Sequence, residues 1–147
     1  MRRVVVTALY ARSIDDLWAD LVSYVALRAA EAGRLRYDGL PRGEARVDDA
    51  FSVRPSLLGI PLGMWRIRVV AREDDRRRLE SEERGGVVRR WDHELILEET
   101  GEGLVRWTDR VALEAPLVGL VVRLARETYV RRPRVRGGRV EAARIVS

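Results

Sequence analysis

The chain has 147 residues, enough for one domain with a sizeable core and too few for two ordinary ones. With 46% hydrophobic and 35% charged residues it is not a disordered chain, and no apolar run approaches the roughly 18 residues that a membrane helix needs. It has no Cys and one His, which excludes disulfides, thiolate metal sites, cysteine nucleophiles and any site built on two histidines.

All 28 basic residues are Arg. Residues 1–113 carry 20 Arg against 20 acidic residues, and residues 114–147 carry 8 Arg against 3, so the whole net charge of +5 lies in the last segment. A nucleic-acid binder would also show a basic face on its body, so this distribution argues against nucleic acid as a partner. The opening Met1-Arg2-Arg3-Val4-Val5-Val6 imitates a signal peptide, but Thr7 and Arg12 interrupt it before an apolar stretch forms. A cytoplasmic location is the expectation.

Residues 3–10 are rich in β-branched side chains and predict a first strand. Ser13 with Asp16 three residues later forms a capping-box pattern. Ile14, Leu17, Trp18, Leu21, Val22 and Val25 follow at helical spacing. The pattern predicts one bent helix or two short ones broken near Ser23-Tyr24, ending at Gly33. Residues 34–43 read as a loop. From Ala45 the period becomes two, with Ala45, Val47, Phe51 and Val53 alternating with charged or polar residues. Asp49 interrupts that series, as at a bulge or strand end.

Turns at Gly59-Ile60-Pro61 or Leu62-Gly63, at Asp74-Asp75 and at Gly85-Gly86 divide the next stretch into strands. Trp65, Ile67, Val69 and Ala71 share one face of the first, and a short charged strand follows at 78–82. Two long strands close the series. On 88–98, Trp91, His93, Leu95 and Leu97 share a face; on 104–114, Val105, Trp107, Asp109, Val111 and Leu113 do. Pro116 suits the first turn of a helix, along which Leu117, Leu120, Val121, Leu124 and Thr128 form a stripe, widened by Val122, Ala125 and Tyr129. Pro133 ends that helix, and Arg-rich residues 133–147 read as a tail with a short element at 140–146.

This order, with Gly59-Ile60-Pro61 before a Trp-containing strand, Trp91-x-His93, Gly101-x-Gly103, Asp109-Arg110-Val111 and Pro116-Leu117, resembles the START-like superfamily, in its polyketide cyclase-like ligand-binding branch. The resemblance implies an α+β helix-grip fold: a curved antiparallel sheet of about six to seven strands wrapped around a long C-terminal helix, with a helical segment after the first strand. The domain is expected at 1–132 and the tail at 133–147. The resemblance also implies a cavity between sheet and helix for a small hydrophobic or aromatic molecule, and it names no ligand.

Within the predicted interior His93 and Asp109 carry the chemistry. A three-residue hairpin loop at 100–102 pairs positions whose numbers sum to 202, setting His93 opposite Asp109, at a Cβ separation of about 5 Å. A carboxylate there holds the imidazole in one tautomer. Three readings stay open: mutual satisfaction of two buried polar groups, orientation of a ligand carbonyl or hydroxyl, and general acid–base catalysis of the cyclase or aromatase kind. Trp65, Trp91, Trp107 and Phe51 are candidate ligand contacts or core. Tyr129 could bring its hydroxyl to the same place from the helix. Ser81 faces the same interior, but no G-x-S-x-G elbow accompanies it. No spacing suggests a metal or cofactor. The Arg-rich tail leaves an interaction module as a further reading, and a homo-oligomer stays open.

Overall fold

In the computed structural model, which describes residues 1–146, β1 (Arg2–Tyr10) leads into α1 (Ile14–Val22) and α2 (Tyr24–Ala30). The helical segment is two helices because Ser23 takes an extended conformation. Its Oγ caps α2 by accepting from the Ala26 N–H at 3.2 Å, as Ser13 caps α1 through the Asp16 N–H. Next come β2 (Leu35–Asp38), β3 (Ala50–Leu57), the two-residue β4 (Ile60–Pro61), β5 (Trp65–Glu73), β6 (Arg78–Gly85), β7 (Val88–Glu99) and β8 (Val105–Glu114). The long helix α3 (Val118–Val135) and the strand β9 (Arg139–Val146) complete the chain.

One antiparallel sheet runs β2-β3-β5-β6-β7-β8-β1-β9, with β4 on β3. Its nine strands exceed the expected six to seven; the additions are β2, inside the predicted loop, the very short β4, and β9. The sheet curls around α3 in the helix-grip arrangement. One core cluster joins Leu17, Trp18 and Leu21 of α1 to Val53, Val69, Leu95 and Trp107 of the sheet. A second seats Val122, Ala125 and Tyr129 of α3 on Val4, Val6, Val111 and Leu113.

Four expectations are corrected. The strand predicted from Ala45 begins at Ala50, because 45–49 form a turn in which Asp48 has φ 69°. There Asp49 Oδ2 accepts from the Arg46 N–H at 2.9 Å and from the Tyr24 hydroxyl at 3.1 Å. The predicted stripe of α3 is buried along its widened edge and not along its leucines. Val122, Ala125, Tyr129 and Pro133 are buried, while Leu117, Leu120 and Leu124 are exposed. Val122 and Ala125 seat the helix on β1 and β8 and Tyr129 reaches inward from the same face, whereas the leucines lie outside that contact.

The hairpin register moves by two. Thr100 N–H donates to Leu104 O at 2.8 Å, so the loop is Gly101–Gly103 and Glu99 pairs with Val105. His93 therefore faces Val111, and Asp109 faces Leu95. An even shift keeps every side chain on its expected face.

Finally, Pro133 lies inside α3, and Arg139–Val146 pairs with β1 at the sheet edge. Residues 133–146 are thus built into the fold rather than forming a tail; Ser147 lies outside the described residues. Among the described residues no helix is long and apolar enough to cross a membrane.

Candidate functional site

A cavity of about 340 Å³ opens between the concave side of the sheet and α3, within the range of roughly 300–1,000 Å³ usual for small-molecule sites. Its wall is mostly apolar. Leu62, Val87 and Leu124 line it and are also exposed, so the entrance lies between the β4–β5 turn, the β6–β7 turn and α3. The three tryptophans of the sheet leave this space open rather than filling it.

Strand alternation brings Phe51, Trp65, Trp91, His93, Trp107 and Asp109 to the cavity wall, and α3 supplies Tyr129. Trp65 meets Trp91 edge to face, with ring centroids 5.7 Å apart. The Trp65 indole N–H donates to Glu83 Oε2 at 2.8 Å. Phe51 packs edge-on against Tyr24 at 5.3 Å.

His93 and Asp109 are 6% and 4% exposed, which makes their partners decisive. His93 Nε2 lies 3.0 Å from Asp109 Oδ1. The contact is diagonal across the ladder, and an imidazole and a carboxylate together span that offset. Nδ1 lies 3.4 Å from the Tyr129 hydroxyl. Burial, opposed by the Arg132 charge, holds this hydroxyl far above the ordinary phenol range, so it keeps its proton and can donate. Every group is then satisfied with Tyr129 O–H donating to Nδ1 and Nε2–H donating to Asp109. Ser81 pairs with His93 across β6 and β7, but its hydroxyl donates to Glu83 Oε1 at 3.0 Å. Both imidazole nitrogens are engaged elsewhere, so no Ser-His-Asp triad is assembled.

Sequence reading missed the polar end of the cavity. Glu31, at the C-terminus of α2, is fully buried. It accepts from Arg132 Nε, and Arg132 Nη2 also donates to the Tyr37 hydroxyl at 3.2 Å. Arg34 Nη1 donates to Thr128 Oγ1 at 2.9 Å and stands 3.8 Å from Glu31. Arg136 lays its guanidinium over the Trp107 ring, 4.6 Å from the centroid. The only signal in the sequence was the Arg cluster at 131–136, which reads equally well as a solvated helix end. Among the described residues no group of His, Asp and Glu side chains is arranged to hold a metal ion.

No protein-family model matches the chain, and no curated protein sequence does. Solved structures match it in fold. A START superfamily protein from Mycobacterium smegmatis superposes with a TM-score of 0.66 at 14% identity, over 92% of this chain and 94% of that one. Norcoclaurine synthase from Thalictrum flavum gives 0.64 at 12%, over 90% and 85%. CalU16 from Micromonospora echinospora gives 0.60 at 14%, over 88% and 70%. The fold is the helix-grip fold that these structures share. At these identities the likeness is one of fold.

Proposed function

We propose that the protein binds a small hydrophobic or aromatic molecule between the sheet and α3. The observation that carries this reading is the open, mostly apolar cavity with a buried Asp109–His93–Tyr129 chain in its wall. Apolar lining with a few convergent polar groups is the usual make-up of a binding site, since burial supplies affinity and the polar groups fix orientation. The fold shared with ligand-handling neighbours such as norcoclaurine synthase supports it. Titration with the neutral fluorophore 1-aminoanthracene tests it. Saturable binding at one probe per chain is expected, lost when Leu79→Trp fills the cavity while circular dichroism stays native. No saturable binding to the wild type, or equal binding to that variant, overturns the reading.

The same hydrogen-bonded chain favours a second reading, an enzyme of the cyclase or aromatase kind that works on a polyketide-like substrate. His93 would move the proton and Asp109 would orient it. Turnover of such a substrate should then fall by about 100-fold or more in His93→Ala, and turnover equal to wild type would exclude it.

A further inference from the structure

Three arginines line the cavity: Arg34, Arg132 and Arg136. Each carboxylate near them is already engaged. Glu31 accepts from Arg132 and stands beside Arg34. Asp109 is held by His93, and Glu83 accepts from Trp65 and Ser81. Arg136 has no carboxylate oxygen within 4.0 Å among the described residues. A guanidinium does not discharge itself by losing its proton, and Arg136 is half-buried, with Asp109 and Asp20 acting on it only from beyond ion-pair distance, so its charge is incompletely compensated. Burial first, and the Arg132 charge second, press the Arg136 guanidinium below its ordinary pKa.

Two neighbouring donors are also idle. The Trp107 indole N–H is buried without a hydrogen-bond partner, and the Tyr10 hydroxyl, which the Arg136 guanidinium approaches as a donor, has no acceptor for its own proton. Their rings lie 5.7 Å apart, at the place where Arg136 covers Trp107. The backbone around Arg136 is firmly held. Its N–H donates to Arg132 O at 3.1 Å, and Gly138 N–H donates to Pro133 O at 2.7 Å. Gly138 also packs so tightly on the Tyr10 ring that a Cβ there would come within 2.6 Å of it. The cation is thus fixed at the cavity wall among donors that lack acceptors, a pattern complementary to an anion.

We infer that the ligand of this cavity is an amphipathic organic carboxylate, whose apolar body lies among the tryptophans and whose carboxylate is taken by Arg136 beside Trp107. This rests on the small-molecule reading above and names the chemical class of the molecule. Arg suits the task because its planar fork pairs both carboxylate oxygens, and the low-dielectric surroundings strengthen the bond.

The test compares 2-naphthoate with its neutral isostere 2-naphthamide, by calorimetric titration at pH 7. The wild type is expected to bind the acid at least about tenfold more tightly than the amide, and Arg136→Met should bring that ratio to about one. A wild-type ratio of one or less overturns the inference and leaves the small-molecule reading standing, and this measurement needs no variant to fold. A ratio unchanged in a natively folded Arg136→Met likewise overturns the assignment to Arg136. Binding of neither probe, together with no binding of 1-aminoanthracene, removes the cavity reading itself and the inference with it.

Discussion

The two faces of β7 and β8 use polar residues in opposite ways. On the convex face Glu94 accepts from Arg78 at 2.9 Å and from Arg110 at 3.0 Å, and Arg106 reaches Glu141 at 2.8 Å. Water stands behind most of these groups, and each ion lost leaves its partner another charge or the solvent. On the concave face His93 has one carboxylate and one hydroxyl, with hydrocarbon beyond them. The comparison teaches that one strand can carry charge at both its faces on quite different terms. Outside, a charge is cheap and replaceable; inside, it is costly and each partner is single.

Substitutions should expose that difference, and the largest effect belongs to the concave side. Trp107 is 2% exposed and packs against both Tyr10 and Arg136. Trp107→Ala should cost about 3–5 kcal/mol in denaturant unfolding, through lost transfer energy and the cavity left behind. A loss below about 1 kcal/mol would mean that Trp107 is not a core element. Next comes Asp109→Ala, which removes the carboxylate and leaves the buried Nε2–H of His93 without an acceptor. It should cost about 1–3 kcal/mol. Asp109→Asn, whose side-chain oxygen can still accept that bond, should recover part of the loss. If alanine and asparagine destabilise equally, the hydrogen bond seen between the two strands contributes nothing to stability.

The same contrast explains what could be read before the structure. Alternation placed Trp91, His93, Trp107 and Asp109 on one face, and it survived a register error because the error was even. The His93–Asp109 contact was legible for the same reason, although it runs diagonally rather than straight across. Tyr129 was legible only as a possibility, since α3 offers two apolar stripes and packing against β1 and β8 selects between them. Glu31 and Arg136 were not legible at all. Glu31 sits near a helix end in a polar stretch, and its burial depends on Arg132, 101 residues away. Arg136 has the sequence setting of a solvated helix end. Only the turn into β9, which pairs with β1, folds it onto Trp107. Long-range partners of polar residues leave little trace in local periodicity, whereas strand faces leave a strong one.

The convex side sets the lower limit of the comparison. Burial pushes the Glu94 carboxyl upward, but the hydrogen bonds from Arg78 and Arg110 outweigh it and hold the group below the usual carboxylate range. A carboxyl depressed in the folded state stabilises the fold at pH above its unfolded value of about 4.3, and that contribution disappears as pH falls through the folded value. Glu94→Gln should therefore cost only about 0.2–1 kcal/mol at neutral pH, since Arg78 keeps Glu73 and Glu80 and Arg110 is exposed to solvent. The wild type should lose more melting temperature than Glu94→Gln as pH falls from about 5 to 3, so the two curves converge in acid. The variant's affinity for 1-aminoanthracene should equal that of the wild type, because Glu94 points away from the cavity. Curves that stay parallel down to pH 3 would show that the pairs on this face add nothing to stability. A cost as large as that of Asp109→Ala would erase the distinction between the faces, for a single outward carboxylate would then be as irreplaceable as a buried one.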